Sequence, residues 1–435
     1  MTLTQAPVSA TIVIPTTLRR ESVAPVVEAA LASVAGSPSG EVILVPNGPM
    51  ADRRPLEVRS PRLRVIECPV ARTPAARNVG LRAAHNEVVL FTDDDCLISA
   101  EWVERLARRL GEGEVAIATP LEVRREGPVT TFLDYQRIFH PRPIDGATTY
   151  YGLGASFGTR RDLIDVTFDE ELASGDDVQF GNRLRDDGFS IAYETEATPP
   201  VHLIAEGVES LATRFANYGE SNARVYLARD RPEVSIPHPT SLYRSVCRNE
   251  ITTPRRFEEL ADPSLRQLFA TLEWILVGAV VIGYLSEAGR ILDREIIRVD
   301  REGLSAGWLE IERRLVSRFP WEGDWSALPV DLDRWLTPRE TTGPAMAPDV
   351  SDNLMRNATL VVEPGPDPAL DRGAELVARR AEEIWAKVNA IWGDLRGRAM
   401  PAEIGAVAQR MRESGVSFRE GIQTMEAIAL GAVRT

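Results

Sequence analysis

The feature that most constrains the fold is a regular alternation of short apolar strands and helices between residues 11 and 110. Runs rich in β-branched and aliphatic residues are separated by stretches with apolar side chains at helical spacing. The predicted strands are Thr11–Ile14, Glu41–Val45, Leu63–Glu67 and Glu87–Phe91, and the predicted helices are 21–34, 73–85 and 101–110. Such alternation indicates βαβ units and a mostly parallel sheet flanked by helices.

Three adjacent carboxylates, Asp93, Asp94 and Asp95, directly follow the fourth predicted strand. Ligands of open α/β sheets bind at the carboxyl ends of the strands, so these acids lie where a ligand is expected. Adjacent carboxylates repel one another, and a cation relieves that repulsion. Because Mg²⁺ and Mn²⁺ prefer oxygen ligands, the run predicts a divalent-metal site that binds the diphosphate of a nucleotide. The alternative is a solvated acidic turn.

The charge and cysteine content narrow the class of protein. The formal net charge of the 435 residues is −14, and no run rich in Lys or Arg occurs. A nucleic-acid partner is therefore not expected, and anionic substrates need a metal or a few placed arginines. The three cysteines have no CxxC spacing, which indicates neither a disulfide framework nor a structural zinc site. Residues 1–10 lack the pattern of a signal peptide, and we expect a cytoplasmic protein.

The second half of the chain has a helical pattern. Helices are predicted over 208–229, 265–297 and 309–319, followed by a proline-rich, weakly structured piece over 341–368 and amphipathic helices over 373–433. The apolar run Trp274–Leu285 is too short to span a bilayer and is expected to form a buried helix. Peripheral contact with a membrane is the less favoured alternative.

Four short motifs occur in a fixed order between residues 10 and 230. They are the strand and loop Thr11–Thr16, the segment Ala76–Gly80 (ARNVG), the acidic element Phe91–Asp95, and a block made of Gly154–Phe157, Phe168–Glu170 and Gly175–Asp177 with Leu184 and Gly188. Together they resemble the family-two glycosyltransferases, nucleotide-sugar-dependent enzymes of the GT-A fold. The resemblance implies a Rossmann-like GT-A domain, Mn²⁺ or Mg²⁺ as cofactor, and a nucleoside-diphosphate sugar as donor.

The resemblance also implies roles for individual residues on the donor side. The implied nucleotide-sugar-binding residues are Pro15, Thr16, Thr17, Arg19, Asn47, Arg77, Asn78, Asp93, Asp94, Gly154 and Arg214, and the implied metal ligands are Asp95, Asp93 and His202. Asp93 would lie nearer the ribose and Asp95 on the metal, although three consecutive aspartates leave this register open by one residue. His202 has a structural histidine as its alternative.

Arg77, Asn78 and Asn47 are expected to contact different parts of the donor. Arg77 can pair with phosphate, or it can form an ordinary ion pair with a neighbouring aspartate. Asn78 is expected to bond the base or the ribose. Asn47 stands where the family usually has an acid that reads the nucleobase, so recognition of uracil through that acid is not expected.

Asp177 is the predicted general base. An inverting transfer needs a carboxylate that takes the proton of the acceptor hydroxyl, and the second acid of the family's "GED" pattern corresponds to Asp177. Asp176 would then orient or contact the acceptor. Both follow Gly175 and open a predicted helix that ends near Gly188. The structural alternative is that one of the two acids is the N-cap of this helix.

The sequence thus predicts a metal-dependent, inverting glycosyltransferase in four segments. These are a GT-A catalytic domain (1–230), a helical extension (231–340), a proline-rich linker (341–370) and a C-terminal helical segment (371–435) that could form a homodimer. The acceptor is unknown. The alternatives are a sugar-nucleotide nucleotidylyltransferase, which would normally have a glycine in its first loop, and a catalytically silent binding protein with the same fold.

Overall fold

The computed structural model describes residues 9–49, 53–136, 138–140, 154–172, 175–229, 263–291, 293, 295, 297–318, 325 and 348–360. The chain forms two compact units, the first made of residues 1–126 and 137–205 and the second of 127–136 and 206–435. The predicted domain boundaries at 230, 340 and 370 lie outside the described residues and stay predictions. The helices expected over 373–433 also lie outside them.

The first unit contains the predicted alternation of strands and helices. Its strands are β1 Ala10–Thr16, β2 Glu41–Pro46, β3 Leu63–Val65, β4 Val88–Phe91, β5 Cys96–Leu97, β6 Ala116–Ala118, β7 Glu122–Val123, β8 Phe157–Arg160, β9 Ile191–Tyr193 and β10 Val201–His202. Its helices are α1 Val23–Ser33, α2 Thr73–Ala83, α3 Ala100–Gly111 and α5 Asp176–Asp186, while α4 belongs to the second unit.

Seven of these strands form one sheet in the order β3-β2-β1-β4-β8-β6-β9. Strand β8 runs antiparallel to β4 and β6, and every other pair in the sheet is parallel. The predicted α/β class with a mostly parallel sheet is confirmed. The acidic run therefore starts at the carboxyl end of β4, in the middle of the sheet.

Side chains that alternate along the strands build a core on each face of the sheet. Ile12 and Ile14 of β1 belong to the cluster that includes the apolar faces of α1 and α3. Val13, between them, belongs to the cluster that includes residues of α2 and α5. Burial on both faces explains why β1, β2 and β4 are nearly continuous apolar runs.

A second, small sheet brings distant parts of the first unit together. Its strand order is β5-β10-β7, and β10 pairs antiparallel with β5 so that His202 lies opposite Cys96. The backbone N–H of Leu203 donates to the backbone oxygen of Asp95 at 2.7 Å. This pairing fixes His202 beside the end of the acidic run.

The second unit is mainly helical. Its elements are α4 Pro128–Tyr135, α6 Val208–Arg229, α7 Pro263–Ile291, β11 Ile297–Val299, α8 Arg301–Arg318, α9 Pro348–Asn357 and β12 Ala358–Leu360. Two expectations were wrong. The helix predicted over 265–297 ends at Ile291, and part of the supposedly weakly structured piece 341–368 forms α9 and β12. The cause is tertiary pairing, because β12 is antiparallel to β11 and local composition does not reveal that partner.

Helix α4 is held by other parts of the second unit. The Glu206 carboxylate accepts hydrogen bonds from the backbone N–H groups of Val129 and Thr130, at 2.7 and 3.0 Å, and so satisfies donors at the helix N-terminus. The aromatic rings of Phe132 and Tyr135 pack on Phe269 of α7, with centroid distances of 5.7 and 5.4 Å. This short helix therefore needs partners that come much later in the chain.

Helix α7 contains the apolar run Trp274–Leu285, which is helical as expected. Among the described residues, Ser264–Ile291 is the one stretch that is long and apolar enough to cross a membrane, and 88% of its most apolar window is buried. The helix is much longer than the run, so length does not argue against a membrane span. A core helix of a soluble protein has the same length and composition.

Helices α6 and α7 cross at glycines. A Cβ added to Gly219 would overlap the backbone oxygen of Val280, and one added to Gly283 would overlap the backbone oxygen of Ala216. Backbone atoms cannot move aside as a side-chain tip can. The two helices can approach this closely only because both positions lack a side chain.

We expect Gly283→Ala to destabilise the second unit by about 3 kcal/mol or more, because the new methyl group must push two helix backbones apart. Thermal unfolding followed by circular dichroism measures the effect. Gly278→Ala, in the same helix, is the matched control because its Cβ would lie 3.0 Å from the flexible end of Leu354. A Gly283→Ala protein as stable as the Gly278→Ala protein would contradict the tight crossing.

Candidate active site

The three aspartates after β4 point to three different sets of partners. The chain turns here, and the backbone N–H of Cys96 donates to the backbone oxygen of Asp93 at 3.1 Å. Asp93 contacts Arg77, Asp94 contacts the loop after β1, and Asp95 contacts His202. The run is therefore a set of separately held carboxylates and not a solvated acidic turn.

Asp94 is fastened to the first loop. Thr16 Oγ1 donates to Asp94 Oδ2 at 2.6 Å, Arg20 donates to Asp94 Oδ1 at 3.1 Å, and Ser22 Oγ donates to the Asp94 backbone oxygen at 2.8 Å. Burial raises the pKa of Asp94 to about 6, although Arg20 and Thr16 act in the opposite direction. Both carboxylate oxygens of Asp94 are thus bonded by the protein, and its contact with a nucleotide stays a prediction.

Arg20 is a site residue that sequence reasoning missed. The resemblance pointed to Arg19, which is exposed, whereas Arg20 forms ion pairs with both Asp94 and Asp95. Burial lowers the pKa of Arg20, but the attraction of Asp95, Asp94 and Asp93 outweighs this and raises it. The available signal was the pair of consecutive arginines, which does not reveal which of the two faces the acids.

Asp95, Cys96 and His202 form a buried group of potential metal ligands whose ligand atoms all lie within 4.8 Å of one another. His202 Nε2 is 3.4 Å from Asp95 Oδ1, and Cys96 Sγ is 3.7 Å from the same oxygen. His202 Nδ1 is buried and has no hydrogen-bond partner among the described residues. The residues present fit a divalent cation. The predicted ligand Asp93 is not part of this group, because it pairs with Arg77.

Arg77 connects the acidic run to the first turn of α5. Its NH2 group donates to Asp93 Oδ1 at 2.8 Å and its NH1 group donates to Asp176 Oδ2 at 2.5 Å. The guanidinium is buried and lies over the Phe168 ring, 5.7 Å from the ring centroid. Burial lowers the pKa of Arg77, but Asp176 and Asp93 hold it well above its usual range. The ion-pair alternative for Arg77 is therefore the one present.

Gly154 allows Arg77 and Asp177 to lie close together. Its backbone N–H donates to Asp177 Oδ2 at 2.8 Å. A Cβ on Gly154 would lie 2.5 Å from the guanidinium carbon of Arg77, so any larger residue would displace the arginine. The structure thus relates Gly154 to the acceptor-side acids, and its predicted contact with the donor stays a prediction.

Asp177 has the environment of a base that works near neutral pH. Gly175, with φ of 74°, is the N-cap of α5, so the expectation that Asp176 or Asp177 caps the helix was wrong. Burial and the neighbouring charge of Asp176 raise the pKa of Asp177 to about 6, against the lowering effect of Arg77 and the N–H groups of Gly154 and Val178. Above that pH the carboxylate is deprotonated and can accept a proton.

The two asparagines have different roles. Asn78 Nδ2 donates to the Phe168 backbone oxygen and to Glu170 Oε1, and Asn78 Oδ1 accepts from the Phe168 backbone N–H, all at 2.9 Å. Its amide holds the segment 168–170 in place, and this local role accounts for the residue without a nucleotide. By contrast, Asn47 is buried and its Oδ1 has no hydrogen-bond partner among the described residues.

The remaining predicted residues are placed as follows. Pro15 is buried in β1 beside Val45, and Thr17 is exposed in the following loop. Arg214 lies on α6 in the second unit, and its role stays a prediction. Arg224, on the same helix, pairs with Glu287 of α7 at 2.7 Å.

The mixed sheet, the acids after β4 and the acids that open α5 are the features that the sequence resemblance led us to expect of a glycosyltransferase domain. Residues 11–167 match the family model "Glycosyl transferase family 2". The resemblance found in the sequence is confirmed for this part of the chain.

Curated relatives agree with this assignment. Two proteins named "Pre-mycofactocin glycosyltransferase", from the CDC 1551 / Oshkosh and H37Rv strains of Mycobacterium tuberculosis, are each 31% identical over 191 residues. The match covers 40% of this chain and 39% of the relative, so the chain spans about two fifths of the length of the curated relatives it matches.

Solved structures of S. aureus TarS have a distant likeness to about two thirds of the chain. The crystal structure of TarS 1-349 is 15% identical with a TM-score of 0.33, and its complex with UDP-GlcNAc is 15% identical with a TM-score of 0.34. Each match covers 66% of this chain and 92% of the other. Such low values do not extend the ligand of TarS to this protein.

Proposed function

We propose that the chain is a metal-dependent, inverting glycosyltransferase that moves a sugar from a nucleoside-diphosphate donor to an acceptor hydroxyl. The observation that carries the proposal is the buried guanidinium of Arg77. It is hydrogen-bonded to Asp93, which follows β4, and to Asp176, which opens α5. The groups that bind the donor and the base that activates the acceptor must act at one anomeric carbon. The two hydrogen bonds of Arg77 fix these two sets of carboxylates relative to each other. The family of residues 11–167 supports the same reaction class.

On the donor side, the nucleotide lies along the loop after β1 and the end of β4. Asn47 offers a buried Oδ1 that has no hydrogen-bond partner in the described part of the chain and is suited to a donor group of the nucleobase. Asp95 and His202 would hold the cation, which stabilises negative charge on the leaving diphosphate. Arg20, which is half exposed beside Asp94 and Asp95, supplies a second positive charge near the diphosphate.

On the acceptor side, Asp177 removes the proton of the attacking hydroxyl while the bond from the anomeric carbon to the diphosphate breaks. One displacement inverts the configuration at that carbon. The two N–H groups that bond Asp177 fix the direction of its carboxylate. Asp176, held by Arg77, places its negative charge beside Asp177. This charge raises the pKa of Asp177 and makes it a stronger base.

A thermal-shift screen of nucleoside diphosphates and nucleotide sugars, with and without Mn²⁺, tests the donor half of the proposal. At about 100 times its Kd, the matching nucleotide is expected to stabilise the protein by about 2.7 kcal/mol, a shift of several degrees. Asp95→Asn should remove the part of this shift that depends on the metal. Asp165→Asn, at an exposed acid of the same unit, is the matched control and should retain it.

A metal-independent shift that is equal in the wild type and in Asp95→Asn would contradict a metal at this acid. Binding without transfer to any acceptor would favour the catalytically silent alternative. A cytoplasmic location and a homodimer through residues 371–435 remain separate predictions, which rest on sequence pattern alone.

A further inference from the structure

We propose that Cys96 is a sulfur ligand of the cation in this site, so that a carboxylate, an imidazole and a thiolate bind it together. The thiolate would widen the preference for Zn²⁺ or Co²⁺ over Mn²⁺ or Mg²⁺ beyond what nitrogen and oxygen ligands alone give. The inference rests on the proposed function only for the presence of a cation at Asp95, and it concerns the choice of metal.

The distances within the group suit one shared ion. An ion bound at about 2.0 to 2.3 Å by tetrahedral nitrogen, oxygen and sulfur ligands places those atoms about 3.5 Å apart. His202 Nε2 and Cys96 Sγ lie 3.4 and 3.7 Å from Asp95 Oδ1. All three ligand atoms lie within 4.8 Å of one another, so a modest rearrangement brings them onto one cation.

The backbone fixes this arrangement. Cys96 and His202 are directly opposite in the antiparallel pair β5–β10, and Leu203 is hydrogen-bonded to the backbone of Asp95. Cys96 is 0% exposed, and Asp95 and His202 are each 4% exposed. A site of this kind is dry and preorganised, and it does not depend on the long side chains of a mobile surface.

The imidazole is available for a metal bond. His202 Nδ1 has no hydrogen-bond partner among the described residues, and the 3.4 Å contact of Nε2 with Asp95 is long for a hydrogen bond. Nε2, the ring nitrogen that faces Asp95, is therefore the atom that an ion would bind. The Phe139 ring, 5.0 Å from the His202 ring, holds the imidazole from the side.

Sulfur changes which ions the site prefers. Thiolates favour Zn²⁺ and other softer ions, whereas Mg²⁺ and Mn²⁺ prefer sites made of oxygen ligands. Cys68, the other buried cysteine described in the same unit, has a different environment. Its Sγ donates to the Val70 backbone oxygen at 3.3 Å, and it is not part of the group of potential ligands.

The test is a titration of the full chain with Co²⁺ after treatment with a chelator. A thiolate bound to Co²⁺ gives a charge-transfer band in the near ultraviolet, which oxygen and nitrogen ligands do not give. The variant Cys68→Ser, Cys247→Ser retains Cys96 as the only cysteine of the chain, so a band from this protein can only come from Cys96. We expect the band in this variant and its loss on further change of Cys96→Ser.

The affinities give a second readout. We expect Cys96→Ser to weaken Zn²⁺ binding by about tenfold or more, in line with the loss caused by altering metal-site residues, and to change Mn²⁺ binding much less. Asp95→Asn should abolish both the band and the binding of Mn²⁺. Circular dichroism of each variant reports whether it is folded.

Each outcome of the cobalt titration either supports or overturns the proposal. Cobalt that binds to the single-cysteine variant without a charge-transfer band would overturn the proposal, and this result does not depend on whether Cys96→Ser folds. No cobalt binding at all would overturn it too. Because donor and acceptor are absent from the titration, failure of sugar transfer leaves the band unaffected. Transfer by Cys96→Ser with Mn²⁺ leaves the proposed function intact.

Discussion

Asp177→Asn is expected to lower kcat by about 10² to 10⁴-fold, because the amide cannot accept the proton of the acceptor hydroxyl. Binding of the nucleotide should stay within about twofold of the wild type, since the proposed donor contacts lie at the β1 loop and the β4 end. In the wild type, kcat/KM should rise with pH through about 6, as Asp177 loses its proton and becomes an active base. Sugar transfer measured from pH 4.5 to pH 8 (about one and a half to two units on each side of that pKa) records this rise, the acidic limb of the pH profile.

The control is Asp187→Asn, an exposed aspartate at the other end of α5. It changes the charge of the chain by the same amount and should leave both kcat and the pH limb unchanged. Transfer by Asp177→Asn at a rate near that of the wild type, with the same pH limb, would show that another group is the base.

Arg77→Gln is expected to reduce stability and activity together. Loss of the guanidinium removes the ion-pair partner of the buried Asp176 and the half-buried Asp93, and removing one partner of a buried ion pair typically costs about 3 to 5 kcal/mol. Misplacement of the two carboxylates by about 1 Å would lower kcat/KM by about 10²-fold. Thermal unfolding and steady-state transfer measure the two effects.

The pH profile separates a positioning role of Arg77 from a merely structural one. Arg77 lowers the pKa of Asp177, so its removal should move the acidic limb of kcat/KM to a pH above about 6. Arg77→Lys keeps a charge but not the two-pronged geometry, and should fall between the wild type and Arg77→Gln. Arg82→Gln, at a largely exposed arginine of the same helix, is the control. An unshifted limb in Arg77→Gln would exclude coupling between Arg77 and Asp177.

The fold of the first unit could be predicted because its strands and helices are signalled locally. Strands buried on both faces leave long apolar runs, and β1, β2 and β4 were predicted to within one or two residues. The second unit was harder. The pairing of β11 with β12 depends on residues more than 50 positions apart, and neither strand is longer than three residues.

The candidate site was predictable as a set of acids but not as a set of partners. Asp93, Asp94 and Asp95 look equivalent in the sequence, and only the turn after β4 gives each its own neighbour. Cys96 gave no signal of its own, because a single cysteine beside an acid is common and its relation to His202 comes from the pairing of β5 with β10. Arg20 was missed for a similar reason, since register in a loop is set by tertiary contacts.

The membership of α4 in the second unit has a consequence for anyone who wishes to produce the catalytic portion alone. The chain passes from the first unit to the second at residue 127, returns at 137 and leaves again at 206. A fragment that ends at 205 would retain α4 but lose Glu206 and Phe269, which cap and cover it. Such a fragment would present Phe132 and Tyr135 to solvent and invite aggregation, so an expression fragment needs either the later helices or a short polar replacement for residues 127–136.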